Sequence, residues 1–391
     1  MTLSGNYVIL RVMKIPRILT ETVISKLKSS EKGIVIYGAR QVGKTTLVND
    51  VIKNLGLKTL IVNADQSKYL DIFSQRDLNR IKDFVEGYEL LFIDEGQRIP
   101  EIGISLKIIL DNFKSLKVVV TGSSSLDLAS KVSEPLTGRV WTYKLYQISF
   151  YEMSAFKNKF ELNEQIEERM IYGSYPEIFS LTGEINKREY LQNLSDAYLY
   201  KDLLELGDIR NSNKIRNLLK LLAFQVGSEV SLSELGSSLG MGKDTISRYI
   251  DFLEKSYVIF RLEGFSRNLR KEVTKMDKIF FYDLGIRNML IDNLKPLKER
   301  NDVGQLWENF LISERVKYLS YTQIYASNYF WRLYTGAELD YVEDTGGELK
   351  GYEFKFGGKI AKAPKGWRAT YTDSKFKCIN RDNCLEFIIK K

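Results

Sequence analysis

The chain has 391 residues, with 58 Lys and Arg against 50 Asp and Glu, two cysteines and no histidine. That length exceeds one ordinary core and predicts two or three domains. The missing histidine removes Ser-His, Cys-His and His-metal chemistry, and Cys378 and Cys384 alone make a structural zinc site improbable, which leaves carboxylates, Lys, Arg, hydroxyls and substrate phosphates for any catalysis.

The N-terminal stretch "MTLSGNYVILRVMKIPRIL" lacks a signal peptide's apolar run and cleavage site, and no segment approaches the roughly 18 apolar residues of a membrane span. A cytoplasmic protein without membrane contact is therefore expected. The first strong element is Ile34-Val35-Ile36-Tyr37, short and apolar like a buried parallel strand, followed by a helix from Lys44 to Asn54. Between them "GARQVGKT" satisfies G-x-x-x-x-G-K-[ST] at every fixed position. Gly38, Ala39, Arg40, Gln41, Val42, Gly43, Lys44, Thr45 and Thr46 are thus expected to cradle the phosphates of ATP, with Lys44 on the β- and γ-phosphates and Thr45 on Mg²⁺. Strand, loop and helix in the required order argue against a chance glycine-rich turn.

The next strand, Leu90 to Ile93, ends in Asp94-Glu95. Asp94 is the expected magnesium residue, and Glu95 the base that polarises the attacking water. A third apolar strand, Val118 to Val120, runs into "TGSSSLDL". There Ser123 is placed to bond the γ-phosphate or the water, although a serine-rich turn capping a helix near Leu126 explains the same residues. In "EPLTGRVWTYKLYQISFYE", Arg139 precedes another strand-like stretch. It is either a finger for transition-state charge, in its own chain or a neighbour's, or an ordinary surface arginine.

"YGARQVGKTTL", "LLFIDEGQRIP", "VVVTGSSSLDLAS", "PLTGRV", "YGSYPEIF", "FYDLGIRNML", "LWENFLISE" and "YFWRLYTGAELDYV" together resemble, in order and over most of the chain, the prokaryotic AAA-type ATPases that carry a C-terminal domain of unknown function. The resemblance implies an α/β P-loop NTPase domain with helices on both faces of a parallel sheet, then a helical segment, a winged helix and a small α/β nuclease-like domain. The group's serine and arginine motifs fall on Ser123 and Arg139.

From Ser149 to about Gly227 apolar and charged residues alternate at helical spacing, most clearly in "KIRNLLKLLAFQVG". In "SLSELGSSLGMGKDTISRYIDFLEKSYVIFRLEGF" a short helix from Ser233 to Leu239, a Gly240-Met241-Gly242 turn, and a second helix capped by Lys243 or Asp244 precede a strand. The second helix carries Ile246, Tyr249, Ile250 and Leu253 on one face. The pattern reads as a winged helix-turn-helix. Lys243, Thr245, Ser247 and Arg248 would face DNA, with the basic stretch "SRNLRKEVTK" behind them; the alternative is a lever packed on its own ATPase.

Near the end, Trp307-Glu308-Asn309-Phe310 opens a helix, and "AELDYV" and "GYEFKF" flank a hairpin turn. If Asp340 pairs with Gly351, Glu338 lies opposite Glu353, and Glu338, Asp340, Glu353 and Lys355 share a face. This resembles the PD-(D/E)xK nuclease family, which implies a second metal site at Glu308, Asp340 and Glu353 with Lys355 beside the hydrolytic water; the family's proline is Leu339 here. Paired charges on an exposed sheet face are the plain alternative. The surrounding stretch from Thr345 to Lys391 carries 11 Lys and Arg against 5 Asp and Glu, which suits nucleic acid or solvent alike.

The expected domains are 1–148 (P-loop ATPase), 149–227 (helical), 228–275 (winged helix) and 276–391 (nuclease-like). The leading functional expectation is an ATP-hydrolysing switch or motor acting on DNA. The alternatives are a regulatory NTPase that binds a protein partner or assembles with itself, and an ATP-regulated metal-dependent endonuclease.

Overall fold

The computed structural model describes residues 15–123, 136–197, 212–266, 276–334, 336–358 and 360–389. The expected cap near Leu126 and nearly all of "SRNLRKEVTK" lie outside them. Helix α1 (Ile18–Ser29) leads into strand β1 (Gly33–Tyr37), buried along its whole length, and then helix α2 (Lys44–Leu55). After these come β2 (Thr59–Asn63), α3 (Ser67–Ser74), α4 (Leu78–Val85), β3 (Leu90–Asp94), α5 (Ile102–Asn112), β4 (Lys117–Gly122) and β5 (Val140–Lys144).

These strands form one sheet in the order β2-β3-β4-β1-β5, with every neighbouring pair parallel. Helices flank it, so β1, β3 and β4 read as unbroken apolar runs without alternation. With β4 seated between β1 and β3, the loops leaving these three strands gather at one edge of the sheet. That edge is where open parallel sheets hold ligands.

The middle of the chain is helical: α6 (Phe150–Met153), α7 (Lys159–Tyr172), α8 (Glu184–Ala197) and α9 (Ser212–Phe224). Ser149 and Asn158 close capping boxes at the starts of α6 and α7. Helix α9 buries Ile215, Leu218, Leu219 and Leu222, the spacing seen in "KIRNLLKLLAFQVG". Helices α10 (Leu232–Leu239) and α11 (Lys243–Lys255) turn about Gly240 to Gly242. Gly242 caps α11 without a side-chain bond, and Ile246, Tyr249, Ile250 and Leu253 face inward. The antiparallel strands β6 (Ile259–Gly264) and β7 (Lys278–Phe281) follow.

The remaining elements are α12 (Leu284–Leu290), α13 (Val303–Tyr321), β8 (Ser327–Arg332), β9 (Glu338–Thr345), β10 (Glu348–Phe354), α14 (Lys365–Thr370), β11 (Lys375–Ile379) and α15 (Cys384–Ile388). A second sheet runs β11-β10-β9-β8-β6-β7. Because β6 pairs parallel with β8 through Glu263 with Tyr329 and Gly264 with Phe330, this sheet crosses the boundary expected after residue 275.

A buried polar knot ties α12 to α7 and α9. Asp302 accepts from Arg287 at 2.6 Å and from Arg300 Nε at 2.8 Å. Arg287 also donates to the Ala223 carbonyl, and Asn288 to those of Met170 and Ile171. Burial alone would push the Asp302 carboxyl up, yet the two guanidinium bonds outweigh it and bring its pKa down to about 2. No helix among the described residues is long and apolar enough to cross a membrane.

Candidate nucleotide-binding site

The loop between β1 and α2 begins at Gly38, where a Cβ would stand 2.2 Å from the Leu145 carbonyl oxygen. Leu145 in turn donates to the Tyr37 carbonyl at 2.7 Å. Only glycine lets the loop leave the sheet this close to the backbone beyond β5. Gln41 has φ 57° and Gly43 φ 93°, so the chain curls before α2, whose N-terminus has no side-chain cap. The first turn of a helix directs its amides outward along the axis, where they suit an anion. Lys44 is buried, and its ammonium donates to the Gly38 and Ala39 carbonyls at 2.9 Å each. Thr45 and Thr46 are exposed at the helix start, while the Tyr190 hydroxyl of α8 donates to Gln41 at 3.1 Å.

At the adjoining strand tip, Thr45 Oγ1 donates to Asp94 Oδ2 at 2.8 Å, and Thr121 of β4 bonds the other carboxylate oxygen. A hydroxyl and a carboxylate at this distance fit Mg²⁺, which takes one or two protein oxygens and keeps several waters. Glu95 follows in the left-handed region, φ 54° and ψ 41°, an uncommon conformation for a non-glycine residue. Its carboxylate accepts from the Gln97 amide, which also donates to Ser123 Oγ at 2.8 Å, and Ser123 N donates back to Gln97 Oε1 at 3.3 Å. Thus Glu95 and Ser123 are joined through Gln97. Neither Gln97 nor Thr121 stands out in the sequence, since each is a small polar residue beside a stronger motif.

Arg139 is elsewhere. Its carbonyl accepts from Gly33 N at the start of β1, and its side chain grips Asp111 at 2.8 and 3.1 Å. The phosphate loop leaves the other end of β1, about 13 Å away along four residues of strand. A finger acting on its own chain's phosphates is therefore corrected: parallel β1 and β5 start together, and Arg139 belongs to the starting end.

The C-terminal face also differs from expectation. The hairpin turn is Gly346-Gly347, pairing Thr345 with Glu348 and Val342 with Gly351. Continuing that register sets Asp340, not Glu338, opposite Glu353. Glu338 is half exposed and lies 3.8 Å from Arg332. Glu353 pairs with Lys355 at 2.7 Å, and Asp340 accepts from Phe354 N at 2.6 Å. Glu308 of α13 is held at 3.3 Å by Lys278 of β7. Among the described residues no three His, Cys, Asp or Glu gather to hold a metal, so the expected ion set of Glu308, Asp340 and Glu353 is not assembled. Burial raises the Glu308 carboxyl to about 8, against the pull of Lys278, and burial with Glu353 nearby raises Asp340 to about 6.

On α11, Lys243 and Arg248 are exposed and Thr245 and Ser247 half-buried; the Arg248 guanidinium lies 5.9 Å over the Tyr249 ring. Exposed Asp244 stands beside Lys243. The helix thus offers three exposed cations, Lys243, Arg248 and Lys255, with exposed Asp244 among them.

Residues 30–154 match the family model of an AAA domain. Residues 163–297 and 303–384 match two models described as domains of unknown function, DUF8612 and DUF4143. An uncharacterized protein of Mycobacterium tuberculosis is 27% identical over 325 residues, 82% of this chain and 70% of that protein. One of Methanocaldococcus jannaschii is 26% identical over 299 residues, 72% of this chain and 65% of that protein. Among solved structures, a Walker-type ATPase of Pyrococcus abyssi aligns with a TM-score of 0.49 at 14% identity, over 72% of this chain and 97% of its own. The Thermotoga maritima RuvB Holliday junction branch migration motor aligns with a TM-score of 0.35 at 19% identity, over 63% and 90%.

Proposed function

With residues 30–154 forming an AAA-type P-loop domain, we propose that the protein binds and hydrolyses ATP and uses the cycle to move its C-terminal half, with DNA as the partner acted on. The observation that carries the reading is the Thr45 to Asp94 hydrogen bond beside the loop that encloses Lys44. In this reading the amides from Gly38 to Thr46 hold the phosphates, and Lys44 exchanges its two carbonyl acceptors for the β- and γ-oxygens. Thr45 and Asp94 would hold Mg²⁺, which when bound neutralises phosphate charge. Glu95 takes a proton from the attacking water, Gln97 keeps that carboxylate oriented, and Ser123 meets the γ-phosphate. Arg139 serves a neighbouring copy's phosphates.

The test is nucleotide binding and phosphate release by the full chain, wild type and Lys44→Ala. Equal release from both would assign the activity to a contaminant. DNA association is tested by retention at low salt: Lys243→Ala with Arg248→Ala should weaken it and flatten its salt dependence. A wild type that ignores DNA would favour a regulatory NTPase with a protein partner.

A second reading, an ATP-regulated endonuclease, draws on the α-β-β-β-α-β order from α13 to β11 with Asp340 and Glu353 on adjoining strands and Lys355 just past the end of β10. Lys278 beside Glu308 counts against it. Magnesium-dependent cleavage of plasmid DNA that is lost on Asp340→Ala would establish it.

A further inference from the structure

Arg17 precedes α1 and lies outside the AAA-domain match. Its side chain is 7% exposed, and the guanidinium reaches four separate parts of the fold. Nη1 donates to the Val42 carbonyl at 2.6 Å, inside the phosphate loop. Nη2 donates to the Tyr146 carbonyl at 2.6 Å, just beyond β5, and to the Tyr321 hydroxyl at 3.3 Å, on the last residue of α13. Nε donates to Glu152 of α6 at 2.7 Å. The Tyr321 hydroxyl also accepts from Tyr146 N at 3.1 Å. Two turns earlier on α13, Glu314 accepts from Phe150 N at 2.6 Å.

A buried guanidinium is tolerated only when its donors are satisfied, so these partners must keep their places together. One of those bonds bears directly on the loop. In a trans peptide the carbonyl and the following N–H point in opposite directions. Holding the Val42 oxygen toward Arg17 therefore aims the Gly43 N–H the other way, away from Arg17. The same cation touches a helix of the C-terminal half 304 positions later in the chain.

We propose that Arg17 is a positioning residue that sets the Val42-Gly43 peptide for phosphate binding, and that through Tyr321 it ties this setting to the position of α13. The proposal rests on the reading that the loop holds ATP. A shift of α13 by an ångström or so takes Tyr321 beyond hydrogen-bond range of Arg17, and the coupling is reciprocal: nucleotide on the loop would favour the docked α13 by the same factor by which docking favours nucleotide.

The test uses the full chain with Tyr321→Phe, Arg17→Lys and the double variant, measuring ATP affinity by titration and folding by thermal melt. Tyr321→Phe keeps the ring and removes only the hydroxyl. It should weaken ATP binding about fivefold with its melting temperature near wild type and its saturated turnover largely kept. Arg17→Lys should weaken binding further, and adding Tyr321→Phe to it should cost nothing more, since the two act through one contact. Wild-type affinity in Tyr321→Phe, or effects that add in the double variant, would overturn the relay. Failure of the wild type itself to bind ATP is a separate outcome, and it removes the ATP reading on which the relay stands.

Discussion

The Thr45 hydroxyl lies 2.8 Å from a carboxylate oxygen of Asp94, 49 positions further along the chain. The contact follows from the sheet order: β4 between β1 and β3 brings the end of one strand and the helix after another to the same edge. Chemistry that needs both residues is thereby available without either moving far.

Lys44→Ala should weaken ATP binding by about 100-fold, the scale of one charge-assisted contact made in a buried setting. It also leaves the Gly38 and Ala39 carbonyls without their shared donor, so a modest loss of melting temperature should accompany it. Titration with a fluorescent ATP analogue reads the first effect, and an affinity within twofold of wild type would remove Lys44 from the site.

Glu95→Gln should retain binding while lowering kcat by roughly 10²- to 10⁴-fold, because an amide cannot take up the proton. Gln97→Leu breaks the bridge between Glu95 and Ser123 and should lower kcat about tenfold with KM little changed, the signature of a lost orienting contact. Phosphate release under saturating ATP separates the two.

Arg139 and the loop stand at opposite ends of β1, so the role proposed for Arg139 is on a neighbour's phosphates. Arg139→Ala and Glu95→Gln, each inactive alone, should then restore part of the turnover when mixed, since an Arg139→Ala subunit keeps its own Glu95 and borrows the other subunit's arginine. No recovery at any mixing ratio, or full activity of Arg139→Ala alone, would leave Arg139 as the surface partner of Asp111.

Asp302 supplies the pH test. Its folded carboxyl titrates at about 2, below the ordinary 3.8, so its contribution is complete above pH 4 and is lost as the pH falls toward 2. Asp302→Asn should cost roughly 3 kcal/mol at pH 7, as it leaves Arg287 and Arg300 buried beside a neutral group. Urea titrations should show the gap between wild type and variant narrowing below pH 4; a gap that stays constant would mean that charge is not what Asp302 supplies.

The phosphate loop was legible because its residues are contiguous and each glycine has a local steric duty. Asp94 and Glu95 were legible from the apolar strand ahead of them. What escaped the sequence is whatever depends on which strands become neighbours. The pairing of Glu263 with Tyr329 joins segments 66 positions apart and leaves no periodic trace. Nor does a single arginine in "KIPRIL" announce that it will be enclosed by four distant parts of the fold. At the C-terminal hairpin the turn is recognisable, but it sits on Gly346-Gly347, one residue later than pairing Asp340 with Gly351 requires, and moving the turn by one shifts the pairing by two, which trades Glu338 for Asp340 opposite Glu353. Lys278 was missed for a related reason, since nothing in β7 alone marks it as the counter-charge of Glu308.

The pairing of β6 with β8 also dictates where the polypeptide tolerates being cut into pieces. A fragment stopping at residue 266 would carry β6 with Glu263, Gly264 and the Phe265 amide stripped of the partners they have on β8. A fragment starting at residue 303 would present the matching bare edge. Unpaired strand edges of this kind seek other strands, so either fragment expressed alone should be prone to aggregate, and the two should be recovered in soluble form together more readily than apart.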